Sequence, residues 1–519
     1  MRKIGVVAAF LGITGIANAQ SGWQHKDLSK DSIFGISTNR AYAELLKGKK
    51  GKPVIVAVID SGVDTAHADL KSVLWRNKGE KQNNIDDDKN GYADDVHGWS
   101  FLGSKKGNVL YDNTELTRLI REGQKRFPNL KNLPVDTTGL AQYQTLRAAF
   151  NAKRKKALQQ YNGISGMRKM FDTVLTKVGD QNPSRAALIA FDPNNMAESQ
   201  ARTMLVQALD QWPDITTYLR AEIDPALAHY HAQTAYLLNL EYDSREVVGD
   251  DYANTKETLY GSADAMGPNA KHGTHVAGII AADRNNLIGT EGVADLVKIM
   301  VVRAIPEGDE RDKDVANAIR YAVDNGASII NMSFGKFFSP NKSIVDEAVQ
   351  YAMKKDVLLV HAAGNESENI DEVEHFPTNI YANGGEAAAW IEVGASTQKW
   401  GDSLVAVFSN YGEHTVDVFA PGVAIYATVP GSVYENMDGT SMATPVVAGV
   451  AALIRSYYPT LSAVQVKQAI VESVVKYPGE VYYKQNGIWS KKPFAQFSKS
   501  GGVVNAYTAL QAAAKMVKK

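Results

Sequence analysis

The chain has 519 residues, 44% hydrophobic and 22% charged, a composition that fits a folded protein of two or three domains. Its 56 Lys and Arg nearly balance 57 Asp and Glu, so with a formal net charge of −1 no global field would recruit nucleic acid or an acidic membrane surface. Cysteine is absent, which excludes disulfides and thiolate metal sites and leaves a large core or a bound metal to stabilise the fold.

Met1-Arg2-Lys3 is followed by an apolar run from Ile4 to Ile16 and by the small residues Ala17-Asn18-Ala19. This is the layout of a secretory signal peptide over 1–19, cleaved before Gln20, and it predicts export to the periplasm or beyond the cell. The run falls short of the roughly 20 apolar residues of a membrane span. No second hydrophobic stretch follows, so no transmembrane segment is expected.

Residues 20–103 carry one expected helix around Ala41–Leu46 and then the run Val54–Ile59. Continuous apolar, β-branched character predicts a strand buried on both faces of a parallel sheet, ending at Asp60-Ser61-Gly62. Further on, oxygen-bearing side chains alternate in Asp86-Asp87-Asp88-Lys89-Asn90-Gly91-Tyr92-Ala93-Asp94-Asp95. Counted from Asp86, ligands fall at the first, third (Asp88), fifth (Asn90) and ninth (Asp94) positions. Gly91 stands sixth for the turn, and Tyr92 offers its carbonyl at the seventh. This is an EF-hand-like plan for calcium, with His97 where a bidentate Glu would stand and Asp95 to complete the set. A solvated acidic turn is the other reading. Asp250-Asp251 is a weaker second candidate.

Residues 104–261 read as a helical insertion. Tyr143, Leu146, Phe150, Ala157 and Tyr161 share one helical face, as do Met167, Met170, Phe171, Val174, Leu175 and Val178. A third stretch runs from Met196 through Met204, Leu205 and Leu209, and a fourth from Ala226 to Leu240. These apolar stripes are expected to form the insertion's own core.

From 262 to 519, strand-like runs at 297–302, 328–332, 357–362, 390–395 and 416–420 alternate with helical patterns. The helices are expected near 274–282, 313–325, 344–355, 443–456 and 462–474. The predicted fold class is therefore α/β, a mostly parallel central sheet with helices on both faces, interrupted by the insertion.

Serine chemistry needs a hydroxyl, a base, a carboxylate to orient the base, and donors for an oxyanion. Asp60 ends a buried strand, where α/β proteins place their sites. His272 opens a helical pattern in His272-Gly273-Thr274-His275-Val276-Ala277-Gly278. Ser441 enters a helix in Gly439-Thr440-Ser441-Met442-Ala443-Thr444-Pro445. Pro445 is expected in the first helical turn, which would put Ser441 at the positive amino end. Each motif alone is modest; together, in the order Asp, His, Ser, they resemble the signature blocks of the subtilisin family.

That resemblance implies roles. Ser441 would be the nucleophile, His272 the general base and acid, and Asp60 its orienting carboxylate. Asn365, in Ala362-Ala363-Gly364-Asn365-Glu366, would donate to the oxyanion, and His275 would have no catalytic part. Ser333-Phe334-Gly335 and Ala362-Ala363-Gly364 would wall the pocket for a polypeptide substrate, which would add as an extended strand. The likeness covers 20–103 and 262–519. It departs from compact members in the insertion between Asp60 and His272, and in leaving only about 40 residues between Gln20 and Asp60, too few for the usual folding prodomain. A binding or scaffolding protein that keeps this fold without turnover is the alternative.

Overall fold

The computed structural model describes residues 22–131, 136–485 and 487–518. The expected leader, 1–19, lies outside the described residues. In chain order the strands are β1 (Val54–Asp60), β2 (Gly98–Ser100), β3 (Gly103–Ser104), β4 (Gly107–Asn108), β5 (Val297–Arg303), β6 (Ile329–Met332), β7 (Leu358–Ala362) and β8 (Trp390–Ser396). There follow β9 (Val418–Pro421), β10 (Ile425–Val429), β11 (Val433–Met437), β12 (Val475–Lys476), β13 (Glu480–Gln485), β14 (Ile488–Pro493) and β15 (Gly502–Val503). Nine of them form one sheet in the order β12-β15-β9-β8-β7-β6-β1-β5-β2. All of its pairings are parallel except β12 with β15.

The alternation within β1 shows why its sequence is apolar throughout. Val54, Val56 and Val58 belong to one core, Ala57 and Ile59 to another. On the first face lie the Lys271–Ala281 and Thr440–Tyr457 helices, through Val276, Ile280, Val446 and Leu453. On the second lie the Asp312–Asp324 and Lys342–Lys354 helices, through Val315, Ile319, Val345 and Val349. A strand covered on both sides has no polar face to show. Since side chains alternate, Asp60 shares the parity of Val56 and Val58, and so faces the His272 and Ser441 helices.

The insertion is helical, and the two expected faces between Tyr143 and Val178 lie on one helix, Leu140–Val178. Phe171, Val174, Leu175, Leu188, Leu205 and Ile215 pack as one small core of its own. Tyr143, Phe150 and Ala157 pack with Leu116, Ile120 and Leu238 in another. Met196 and Met204 depart from expectation: they are 77% and 36% exposed, because their helix turns Ala201 and Leu205 inward instead.

Where the insertion meets the sheet, buried ion pairs accompany the apolar packing of Val109, Val248 and Tyr260. Arg245 pairs with Asp314 at 2.6 Å, Arg311 with Asp112 at 2.7 Å, and Lys313 with Asp250 at 2.8 Å, all buried. Lys336 holds Glu115 and Asp312, each at 2.8 Å. Asp250, considered from sequence as a metal ligand, is thus neutralised by the chain's own cations.

Candidate active site

The strand order reverses around β1, which has β5 on one side and β6 on the other, and crevices at the carboxyl ends of such strands receive ligands. Asp60 ends β1 there and is buried. Its Oδ1 accepts the Ser61 N–H at 2.7 Å and lies 2.8 Å from His272 Nδ1. Its Oδ2 is buried with no partner among the described residues. The His272 helix comes this close because Gly273 carries no side chain. A Cβ there would lie 2.2 Å from the Gly62 carbonyl oxygen and 3.1 Å from Asp60 Cβ.

Burial disfavours charge on His272, but the Asp60 carboxylate outweighs it, by field and hydrogen bond, with Glu307 adding. The pKa lies above the ordinary 6.5. His275, on the same helix, is set differently. Burial pushes it down to about 4, and its Nε2 lies 3.1 Å from the Glu435 carbonyl oxygen.

Ser441 is the second residue of its helix, and its N–H has no acceptor among the described residues. Pro445 lies in the second turn of this helix, not the first. Lacking an N–H, it leaves the Ser441 carbonyl without its helical donor. The Ser333 hydroxyl takes that place, donating to Ser441 O at 3.0 Å. In return the Ser441 hydroxyl donates to Ser333 O at 3.3 Å. Since Ile59 and Met332 are in register, Ser333 emerges beside Asp60. The three residues therefore share one crevice, with the Ser441 hydroxyl turned toward Ser333 and no hydrogen bond between it and His272.

Asn365 follows β7 and is exposed. Its Oδ1 accepts the Thr440 N–H at 2.9 Å and hydroxyl at 3.0 Å. With the carbonyl side of the amide engaged, the NH₂ is left to point elsewhere. Thr440 is a positioning residue that sequence reading did not single out, although it directly precedes Ser441. Gly364 has φ +102°, and a Cβ would stand 2.3 Å from Asn410 Nδ2. Ser333-Phe334-Gly335 and Ala362-Ala363-Gly364 end the neighbouring strands β6 and β7, where Met332 is in register with His361, so the two segments run side by side.

In the acidic loop, the structure brings Asp88 and Asp95 together with Glu80, ligand atoms within 4.8 Å of one another. Asp86 and Asp94 are not in this group, and hydrogen bonds tie the rest of the loop together. Asp86 accepts the Asn90 and Gly91 amides, Asp94 those of Asn83 and Asn84, and the Asn90 amide donates to Asp88 and Asp95. The Tyr92 ring packs on Trp99 and Tyr321. Glu80 escaped notice because it precedes the acidic run, in a stretch of Lys and Asn. Burial pushes Asp95 up to about 6. Three converging carboxylates suit a hard divalent cation.

A parallel sheet with a carboxylate, an imidazole and a hydroxyl in one crevice, in the chain order Asp, His, Ser, defines the class: an α/β protein with the side chains of a nucleophilic serine site. Residues 51–492 match the Subtilase family model, and the chain belongs to that family. It is 38% identical over 248 residues to the Thermophilic serine proteinase of Bacillus sp. (strain AK1), covering 48% of this chain and 56% of that protein. It is 39% identical over 241 residues to Thermitase of Thermoactinomyces vulgaris, covering 46% and 75%. A solved structure titled Proteases from Pseudoalteromonas arctica PAMC 21717 shares 28% identity, with a TM-score of 0.40 over 49% of this chain and 79% of that one. The match thus spans little more than half the length of the first of these relatives. Among the described residues, no helix is long and apolar enough to cross a membrane.

Proposed function

We propose that the protein is an exported serine endopeptidase that cleaves polypeptides through an acyl-enzyme on Ser441. The observation that carries this is the 2.8 Å contact of Asp60 with His272, which are 212 residues apart, beside Ser441. The reaction requires the Ser441 hydroxyl to turn from Ser333 O, where it rests, to His272 Nε2. The imidazole takes the proton as the oxygen attacks the peptide carbonyl, and Asp60 stabilises the imidazolium formed. The oxyanion is received by the Ser441 N–H and the Asn365 NH₂. His272 then protonates the leaving amine and afterwards activates the water that releases the acyl group. Labelling with a fluorophosphonate tests the reading. Wild type should react and folded Ser441→Ala should not; equal labelling of the two would refute it.

Asn365→Ala should lower kcat by about 10²–10³ with little change in KM, the loss known for the matching donor of subtilisin itself. Steady-state kinetics check this, and a pure KM effect would move Asn365 from the oxyanion to the substrate.

Calcium is proposed at Glu80, Asp88 and Asp95. An ion that binds only the native state adds about 2.7 kcal/mol at a hundredfold excess over its Kd, which is several degrees in Tm. Chelation should remove that increment and Glu80→Gln should make the protein insensitive to it. A melting curve unmoved by chelator counts against the site.

Peptidase parts at 20–103 and 262–519 with an insertion at 104–261 remain our division of the chain. The insertion is proposed to limit access to the crevice, supported by its Glu115 holding Lys336, next to Gly335. The test removes residues 166–223, with their own small core, and joins Ser165 to Asp224, which line one small cleft. The folded, trimmed protein should gain on folded substrates relative to a short peptide, and an unchanged ratio removes the gate. Export is supported by the layout of residues 1–19.

A further inference from the structure

A cluster outside the serine site has chemistry of its own. His361, His375 and Glu392 each bring one ligand atom within 4.8 Å of the others. His361 and Glu392 are in register on β7 and β8, so their side chains project to the same face. His361 is fully buried, with Nδ1 at 2.9 and 3.1 Å from the two Glu392 oxygens, while the Trp390 indole donates to Glu392 at 2.9 Å. The carboxylate fixes the proton on Nδ1 and leaves Nε2 with a lone pair. That Nε2 is buried without a partner among the described residues. His375, half-buried in the segment before Phe376, has a second unpartnered ring nitrogen, Nδ1. Buried polar groups are normally hydrogen-bonded, so two orphaned imidazole nitrogens in one cluster call for a ligand.

We propose that His361 and His375, with Glu392, bind a divalent transition-metal ion of the zinc type. Imidazole suits such ions, whereas calcium prefers an all-oxygen set like that of Glu80, Asp88 and Asp95. A carboxylate on the far nitrogen of a ligating histidine is a recurrent support of zinc sites, holding the ring's tautomer and orientation. His375 and Glu392 also line a cleft of about 970 Å³, together with His414 and Asp417, which gives an ion a way in.

The site adjoins the two segments assigned to substrate. A Cβ on Gly335 would lie 2.2 Å from His375 Cε1, and one on Gly364 would lie 3.1 Å from His375 Nε2. An ion that draws the His375 ring inward therefore displaces the wall of the substrate pocket. This consequence rests on the protease reading; the binding does not.

Calorimetric titration of zinc into calcium-saturated, full-length Ser441→Ala protein is the test, since that variant cannot digest itself. One ion should bind with a Kd in the micromolar range or tighter. Adding Glu392→Gln should weaken it by about 10–100-fold, and adding His375→Ala should remove it. His375 is only half-buried, so its replacement is the variant to rely on should changes at buried His361 or Glu392 unfold the protein, as thermal melting will show. In the active enzyme, zinc should raise KM in wild type and not in His375→Ala. No binding, or an isotherm unchanged by His375→Ala, overturns the site while leaving the protease reading intact. Failure of fluorophosphonate labelling would do the reverse.

Discussion

His272→Ala is expected to lower kcat for peptide hydrolysis by about 10⁶, the loss known for the base or the nucleophile of subtilisin. A serine hydroxyl at neutral pH is a poor nucleophile, and the attack needs a base that takes the proton as the new bond forms. The imidazole held by Asp60 can supply this. Its side chain is 35% exposed, so truncation opens no large cavity, but it leaves buried Asp60 without its partner, and thermal melting must show the variant folded. In the folded variant the loss should fall on kcat. The double variant His272→Ala, Ser441→Ala should be no slower than either single one, because the two groups act as a unit. A loss below tenfold, or losses that multiply in the double variant, would mean that His272 is not the base.

The sequence makes the middle of the sheet legible because both faces of each strand are covered. β1 and β5 to β9 are apolar runs, and the observed strands fall within two residues of the expected bounds. The edges are not legible. β2, β12 and β15 are two or three residues long and are held by their neighbours, while the β13–β14 ribbon buries Val481 but leaves Ile488 69% exposed, so no apolar run marks them. The positions of Asp60, His272, Ser441 and Asn365 could be read because each sits at a strand end or helix start within a distinctive local motif. Their supports could not. Thr440, and Ser333 in its role of holding Ser441 rather than walling the pocket, act through pairs of hydrogen bonds between segments far apart in the chain, and periodicity carries no trace of such bonds. The metal loop was legible only in part for the same reason. Spacing along the chain suggested six ligands from one loop; of its carboxylates Asp88 and Asp95 converge, and Glu80 joins them from outside it.

Asp60→Asn should lower kcat by about 10⁴, and the contacts of Asp60 say why either amide orientation fails. With its oxygen in the place of Oδ1, the side chain still accepts from Ser61 and His272, but the NH₂ enters the buried, partnerless position of Oδ2 and the negative charge is gone. Flipped, the NH₂ opposes the Ser61 N–H and makes His272 Nδ1 an acceptor, which puts the ring proton on Nε2, where it cannot take one from Ser441. The pH profile separates loss of charge from loss of shape. Activity requires neutral imidazole, so wild-type kcat/KM should rise with pH through a value above 6.5, since Asp60 raises the His272 pKa. In Asp60→Asn only the opposing effect of burial and the smaller pull of Glu307 remain, and the residual activity should rise at lower pH. Stability has the corresponding sign. A histidine raised by its partner contributes fully below its unfolded pKa, and that contribution fades as pH rises through the folded one. The stability gap between wild type and Asp60→Asn should therefore be wider at acidic than at alkaline pH. An acid limb that stays in place would show that the carboxylate holds the ring by position alone.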